Sequence, residues 1–370
     1  MKTIFPDYVP NFSCLAGRCP DTCCKDWWII LDEKTLAVYR ALPGPLGDAV
    51  WQSLVTEDGE TRFALTDGHC RLLTEDGLCS IQLALGEDAL CETCHAHPRF
   101  YEEYGAVREL SLSVSCLAAA RLLLEHPKKL TFREENDEEP VTACNELDAQ
   151  LYFALKTFRK SAIGLAQDRM LPMAQRCAVL LQLASRCQRL LDEKKYTALS
   201  ALCSRYEDPA YLQHQCRRLK RLLMQPGAFF PCWMVLNNAE HLTKEFPRLL
   251  DRAIGAHFEG HFDEAMENRY ENLLVYFLFR YALKAVNDGK LLPRIEGCVF
   301  HLLAIRQLYA LSEEKGPEAF EKTVCLYSKE MEHSEENLAL LMRVFSRGTL
   351  SLPYLLSLLE EKVCAGYTNS

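Results

Sequence analysis

Nine of the 18 cysteines of this 370-residue chain fall within its first 116 residues, at positions 14, 19, 23, 24, 70, 79, 91, 94 and 116. Thiols crowded at short spacings must pair as disulfides, bind metal or carry redox chemistry, and the compartment decides which. The N-terminus places Pro6, Asp7 and Pro10 where a secretory signal would have an apolar run. The longest strongly apolar stretch, Leu273 to Phe279, meets Arg280 and Lys284, far short of the roughly 18 apolar residues of a membrane span. The expectation is a cytoplasmic chain with no membrane partner, in which reduced thiols act as metal ligands.

Charge argues against nucleic acid as a partner. Residues 1 to 130 hold 12 Lys+Arg against 19 Asp+Glu, and the whole chain carries a net charge of -9. Phosphate neutralisation needs clustered basic residues. The one dense basic patch, Arg217, Arg218, Lys220 and Arg221, has no interleaved aromatic platform and reads as a solvated helix face. The acidic excess, including Glu102 and Glu103, suits a positively charged partner instead. No feature of the sequence sets an oligomeric state.

The run Arg133-Glu-Glu-Asn-Asp-Glu-Glu-Pro140 is polar, self-repelling and closed by proline, so it reads as a linker. Before it, turn pairs such as Asp67-Gly68 and Asp76-Gly77 punctuate short elements, and loops are expected to dominate. Bound metal would supply order that a small core lacks. After it, Leu147, Leu151, Leu155 and Phe158 recur at helical spacing, as do Met173, Cys177, Leu180, Leu181, Ala184 and Cys187. Asp208 before Pro209, and Ser334 before Glu335 and Glu336, are helix starts. Glu264 to Val286 is apolar around most of its circumference and is expected at the centre of a bundle. Cys177, Cys187, Cys216 and Cys325 lie on apolar stripes and read as core residues. The chain is therefore expected to be mainly α: a cysteine-rich metal-cluster domain over 1–130, an acidic linker over 131–143 and a helical domain over 144–370.

The thiol motifs are Cys14-x4-Cys19-x3-Cys23-Cys24 before Trp27-Trp28, then Cys70, Cys79, Cys91-x2-Cys94-His95-Ala-His97-Pro98-Arg99, and Cys116. Adjacent cysteines rarely serve one tetrahedral site, so one of Cys23 and Cys24 reads as a bystander or a ligand to a second centre. The candidate ligands are Cys14, Cys19, Cys23, Cys24, Cys70, Cys79, Cys94 and Cys116. All-thiolate ligation suits zinc and iron-sulfur clusters alike. His95 and His97 are further candidates for a mixed site, with a polar turn as the plainer reading.

These residues resemble the bacterial flagellin lysine-N-methylase family. The resemblance rests on Cys19-Pro-Asp-Thr-Cys23-Cys24, Gly77-Leu-Cys79-Ser-Ile-Gln82, Leu85-Gly86-Glu87, Thr93-Cys94 with Pro98-Arg99, Glu109-Leu-Ser-Leu-Ser-Val-Ser-Cys116 and Tyr270-Glu271-Asn272. The cysteine part is also similar to small zinc- or iron-chelating domains. The family resemblance implies methyl transfer from S-adenosylmethionine to lysines of flagellin, with an iron-sulfur cluster (4Fe-4S) among the cysteines. Two departures stand out: Cys116-Leu117-Ala118 where the family pattern has Cys-Pro-Glu, and His95 where an Arg commonly follows Thr-Cys.

Amine methylation is a polar displacement that needs alignment and a proton acceptor. The Cys-x3-Cys-x2-Cys spacing of radical S-adenosylmethionine enzymes would require cysteine at 26, which is Asp26. No G-x-G-x-x-G turn is present, so a Rossmann cofactor site is not expected. No Gly-x-Ser-x-Gly elbow or His-Glu-x-x-His pair is present either. The cofactor is expected at a seam between the cysteine domain and the central helix, with Arg99, Glu109 and Asn272 binding it and Tyr270 or Glu271 approaching the amine. Trp27 and Trp28 could attract a sulfonium or ammonium. The competing reading is a metal-binding interaction module, holding zinc or an iron-sulfur cluster, without catalytic turnover.

Overall fold

A computed structural model of the chain describes residues 1–25, 27–57, 59–136, 147–222, 228–255 and 262–359. The N-terminal third alternates short elements: β1 (Lys2–Pro6), α1 (Glu33–Arg40), α2 (Gly44–Gln52), β2 (Leu54–Glu57), β3 (Glu60–Phe63), β4 (Leu65–Thr66), β5 (His69–Cys70), α3 (Ser80–Leu85) and α4 (Glu92–Ala96). Then come β6 (Arg99–Tyr104), β7 (Val107–Leu112), α5 (Leu117–Leu124) and β8 (Phe132–Asn136). The remainder is helical: α6 (Ala149–Ala166), α7 (Met173–Asp192), α8 (Tyr196–Tyr206), α9 (Pro209–Leu222), α10 (Phe230–Asn237), α11 (Glu245–Gly255), α12 (Glu267–Tyr281), α13 (Leu291–Leu311), α14 (Pro317–Glu332), α15 (Glu335–Ser346) and α16 (Leu352–Ser357). The expectation of a mainly α chain holds. No helix among the described residues is long and apolar enough to cross a membrane.

Helix boundaries follow local chemistry. Ser334 accepts a hydrogen bond from the Asn337 amide at the start of α15, and Asp148 accepts from the Gln150 and Leu151 amides at the start of α6. Asp208 accepts from the Ala210 amide as α9 begins at Pro209. α12 sits at the centre, with every side chain from Tyr270 to Tyr281 buried, and it packs on α5, α6 and α13. A helix apolar on all sides has no solvent face to keep. Cys177, Cys187, Cys216 and Cys325 are all in the core.

The N-terminal third departs from the loop-dominated expectation by contributing a four-stranded sheet in the order β6-β7-β1-β8. β1 runs parallel to β7, with Ile4 opposite Glu109, and antiparallel to β8, from Lys2 opposite Asn136 to Pro6 opposite Phe132. Residues 132–136 of the expected linker are therefore an edge strand, whose charged side chains suit an edge. Residues 137–143 lie outside the described residues.

Two hydrophobic cores organise the chain, and they do not divide at residue 130. Phe5, Tyr8, Tyr104, Leu112, Val114, Leu117, Ala120 and Leu123 share one core with the C-terminal helices. The second core is small and confined to Ile29, Leu31, Leu36, Tyr39, Val50, Phe63, Cys70, Leu72, Ile81 and Cys91. The sheet and α5 thus belong to the helical body, because their apolar faces have nothing else to bury against. Phe12 packs against the large core, and Cys24 and Trp27 pack against the small one.

Candidate functional site

A cavity of about 1170 Å³ opens where the cysteine segments meet the helical body. All eight cysteines singled out in the sequence, 14, 19, 23, 24, 70, 79, 94 and 116, line it, whereas Cys91 points into the small core. Backbone pairing explains the gathering. The Cys70 amide donates to the Cys24 carbonyl (2.8 Å), and Lys25 bridges to His69. Cys79 bridges to Leu73 across a turn closed by Gly77, whose φ of +74° favours glycine. Asp32 caps α1 and also accepts from the Glu92 amide (3.2 Å), which fixes α4 and hence Cys94. Cys116 is the residue before α5.

The thiols interact in pairs. A hydrogen bond between Cys23 and Cys24 pushes the Cys23 thiol up and holds Cys24 below the usual thiol value; Cys94 and Cys91 form a second such pair, with Cys94 raised and Cys91 lowered. Burial raises Cys19 and Cys70 and pushes Cys116 up to about 11. Among the described residues, no three His, Cys, Asp or Glu side chains are grouped closely enough to hold a metal ion. The donor set fits an iron-sulfur or zinc centre in chemical type, and its members line one cavity; a closed four-ligand set is not formed among the described residues.

The opposite wall comes from the helical body. Lys329 and His333, at the end of α14, line the cavity with Leu242 and Thr243. Lys329 is paired with Asp21 of the cysteine segment. His333 Nε2 lies 2.6 Å from Ser115 Oγ, which is 2.8 Å from Ser113 Oγ. The preceding residue, Glu332, is fully buried and accepts from Ser328 (2.7 Å), Tyr276 (2.8 Å) and Tyr281 (2.7 Å), so the end of α14 is held rigidly behind the wall. Burial pushes His333 down to about 4 and His97 down to about 3, leaving both imidazoles neutral near pH 7. Nothing in the spacing of His333 and Lys329 marked them, since they lie more than 200 residues from the cysteine motifs they face.

The other sequence candidates divide. Arg99 lines the cavity, its guanidinium 5.4 Å from the Phe12 ring centre, and Glu87 and Trp27 line it too. Trp28 is outside, half-exposed with Arg62 stacked at 4.0 Å. Glu109 is buried in a bidentate pair with Arg159. Glu271 is fully buried between Arg169 (2.9 Å) and Arg176 (3.0 Å). Asn272 donates to the carbonyls of Leu123 (2.9 Å) and His126 (3.2 Å). Tyr270 packs edge-on against Phe262 and Phe320. None of these four lines the cavity. The seam exists, but α14 rather than the Tyr270-Glu271-Asn272 turn of α12 forms its helical side.

Comparison with known proteins places these features. The FliB lysine N-methylase C-terminal domain is matched over residues 159–358. The flagellar biosynthetic protein FliU of Salmonella muenchen is 32% identical over 141 residues, which cover 35% of this chain and 81% of that protein. Lysine-N-methylases of Salmonella choleraesuis and Salmonella typhimurium are each 32% identical over 137 residues, covering 35% of this chain and 34% of theirs. The match thus spans about a third of the length of those two relatives. No solved structure gives a significant match. With more than half of its length matched by that C-terminal domain, the chain belongs to the FliB lysine N-methylase family.

Proposed function

We propose that this chain is a protein lysine N-methyltransferase that uses S-adenosylmethionine, with surface lysines of flagellin as its substrate class and the cytoplasm as its place of action. The observation that carries the reading is the cavity itself. In a member of this family, this cleft joins the cysteine segments to the matched helical domain, and Arg99, Trp27, His97 and His333 face into it. Its volume of about 1170 Å³ leaves room for a nucleoside-sized donor and an entering lysine side chain together.

S-adenosylmethionine supplies a sulfonium methyl. A neutral amine nitrogen forms the N–C bond as the C–S bond breaks, the electron pair stays on sulfur, and the methylated amine gives up its proton to solvent water. This chain's part is alignment and exclusion of water. Arg99, on the cavity wall, suits the donor's carboxylate through two parallel N–H bonds. The acidic surface of residues 1 to 130 would draw a lysine-bearing partner by a field that weakens as salt rises. Four of Cys14, Cys19, Cys23, Cys24, Cys70, Cys79, Cys94 and Cys116 would hold an iron-sulfur centre, or zinc, that closes the loops around the cavity.

The test is anaerobic purification with iron, sulfide and zinc analysis, followed by incubation with methyl-labelled S-adenosylmethionine and flagellin. Label on lysine Nε supports the proposal. Stoichiometric zinc with no transferred label would favour a metal-binding interaction module instead.

A further inference from the structure

Three rings meet on the cavity wall. The Trp27 and His97 centres are 5.6 Å apart, Trp27 and His333 are 4.9 Å apart, and His97 and His333 are 5.9 Å apart. They come from three distant stretches of chain, so the cluster exists only in the folded protein. The two histidines differ in one respect. His333 Nε2 is engaged by Ser115, while His97 Nε2 is buried with no hydrogen-bond partner. A buried polar nitrogen left unpaired is unfavourable in the folded state and is kept where something else completes it.

Resting on the methyltransferase reading, we propose that Trp27, His97 and His333 form the seat of the substrate amine: a lysine side chain enters the cavity, its ammonium faces the Trp27 ring and donates one N–H to His97 Nε2. A ring face attracts a cation, and an unprotonated imidazole nitrogen offers a lone pair to an N–H or O–H donor. The sulfonium of the methyl donor has no such hydrogen, so it does not complete His97. Lys329 does not repel an entering cation at full strength, since Asp21 pairs with it. The buried Glu332 behind His333 carries a negative charge, which the buried Arg280 beside it partly offsets.

The experiment uses the full chain and two readouts. The first is calorimetric titration with Nα-acetyl-lysine amide and with its norleucine analogue, which has the same length without the amine. The second is methyl transfer to a lysine peptide, with KM for the peptide and Kd for S-adenosylmethionine measured separately. His97→Leu should raise the peptide KM about tenfold or more and leave donor Kd within about twofold; His97→Gln, which returns a polar atom near Nε2, should recover much of the loss. Trp27→Leu should weaken the lysine analogue more than Trp27→Phe does. Unchanged peptide KM in His97→Leu, or loss of donor binding in its place, overturns the assignment. If the parent transfers no methyl group, the titration still decides: amine-dependent binding that His97→Leu abolishes upholds the seat while the methyltransferase reading falls, and binding that is absent, indifferent to the amine or indifferent to His97 overturns it.

Discussion

Arg159 presents both terminal nitrogens to the two carboxylate oxygens of Glu109, at 2.6 and 2.5 Å, with neither side chain more than 7% exposed. The pair fastens β7 to α6 and joins the N-terminal sheet to the helical body. Arg159 also donates to the Phe279 carbonyl (3.0 Å), so α12 is held by the same guanidinium. Removing one partner of a buried ion pair leaves the other charge uncompensated. Glu109→Gln should therefore destabilise the chain by about 3 to 5 kcal/mol, whereas Glu87→Gln, at an exposed position, should change stability by no more than about 0.5 kcal/mol. Denaturant unfolding of the two variants checks this, and equal stabilities would refute the structural role of Glu109.

Glu271 stands in the same position between Arg169 and Arg176, and Tyr270 is packed among rings away from the cavity. Glu271→Gln should lower the unfolding midpoint. Measured on the folded fraction, methyl transfer by Tyr270→Phe should stay within about threefold of the parent, rather than fall by the roughly 10² to 10⁴ that removal of a proton acceptor causes. A loss of that size in kcat alone would return Tyr270 to the chemistry.

Cysteines on the cavity wall and cysteines in the core should part company. Cys79→Ala and Cys94→Ala should each lose most of the bound metal, and Cys177→Ala and Cys298→Ala, whose thiols are fully buried in the large core, should keep it. Iron, zinc and sulfide per chain are the readout. Full metal retention in both wall variants would remove the proposed centre.

Arg99 offers a directional test of donor binding. Because a guanidinium binds a carboxylate through two fixed N–H bonds, Arg99→Lys should weaken S-adenosylmethionine binding about tenfold although the charge is kept. Calorimetric titration measures it, and an unchanged Kd would place the donor carboxylate elsewhere in the cavity.

Acid should destabilise the chain through its buried histidines. His301 is stacked on Phe277 and lies 2.8 Å from the Tyr327 hydroxyl, and burial pushes it from 6.5 down to about 4. Below pH 6.5 the unfolded chain binds a proton here, while the folded chain stays neutral until about pH 4. The contribution is therefore complete above pH 6.5 and is lost as pH falls through that window, at up to about 1.4 kcal/mol per pH unit. Urea unfolding between about pH 7.5 and 5 should show a shallower slope for His301→Gln than for the parent. Identical slopes would contradict the neutral buried state.

Local signals in the sequence were sufficient for the helices and the thiol wall. The Leu147-Leu151-Leu155-Phe158 stripe, the Ser334 and Asp208 caps and the apolar girth of α12 act within a turn or two, so spacing alone placed them. The crowding of cysteines near the N-terminus likewise foretold that the eight would share one region. What the tertiary structure alone decided is every pairing across a long stretch of chain. β8 looked like a linker because charged residues suit both a solvated tether and an exposed sheet edge, and only β1 distinguishes them. Glu109, Glu271 and Asn272 looked available for chemistry because a polar side chain carries no mark of its partner; each partner lies roughly 50 to 150 residues away. His333 and Lys329 reached the cysteine cavity through the packing of α14 against α5 and α13. Periodicity reports which face of an element is apolar, and the fold determines what that face meets.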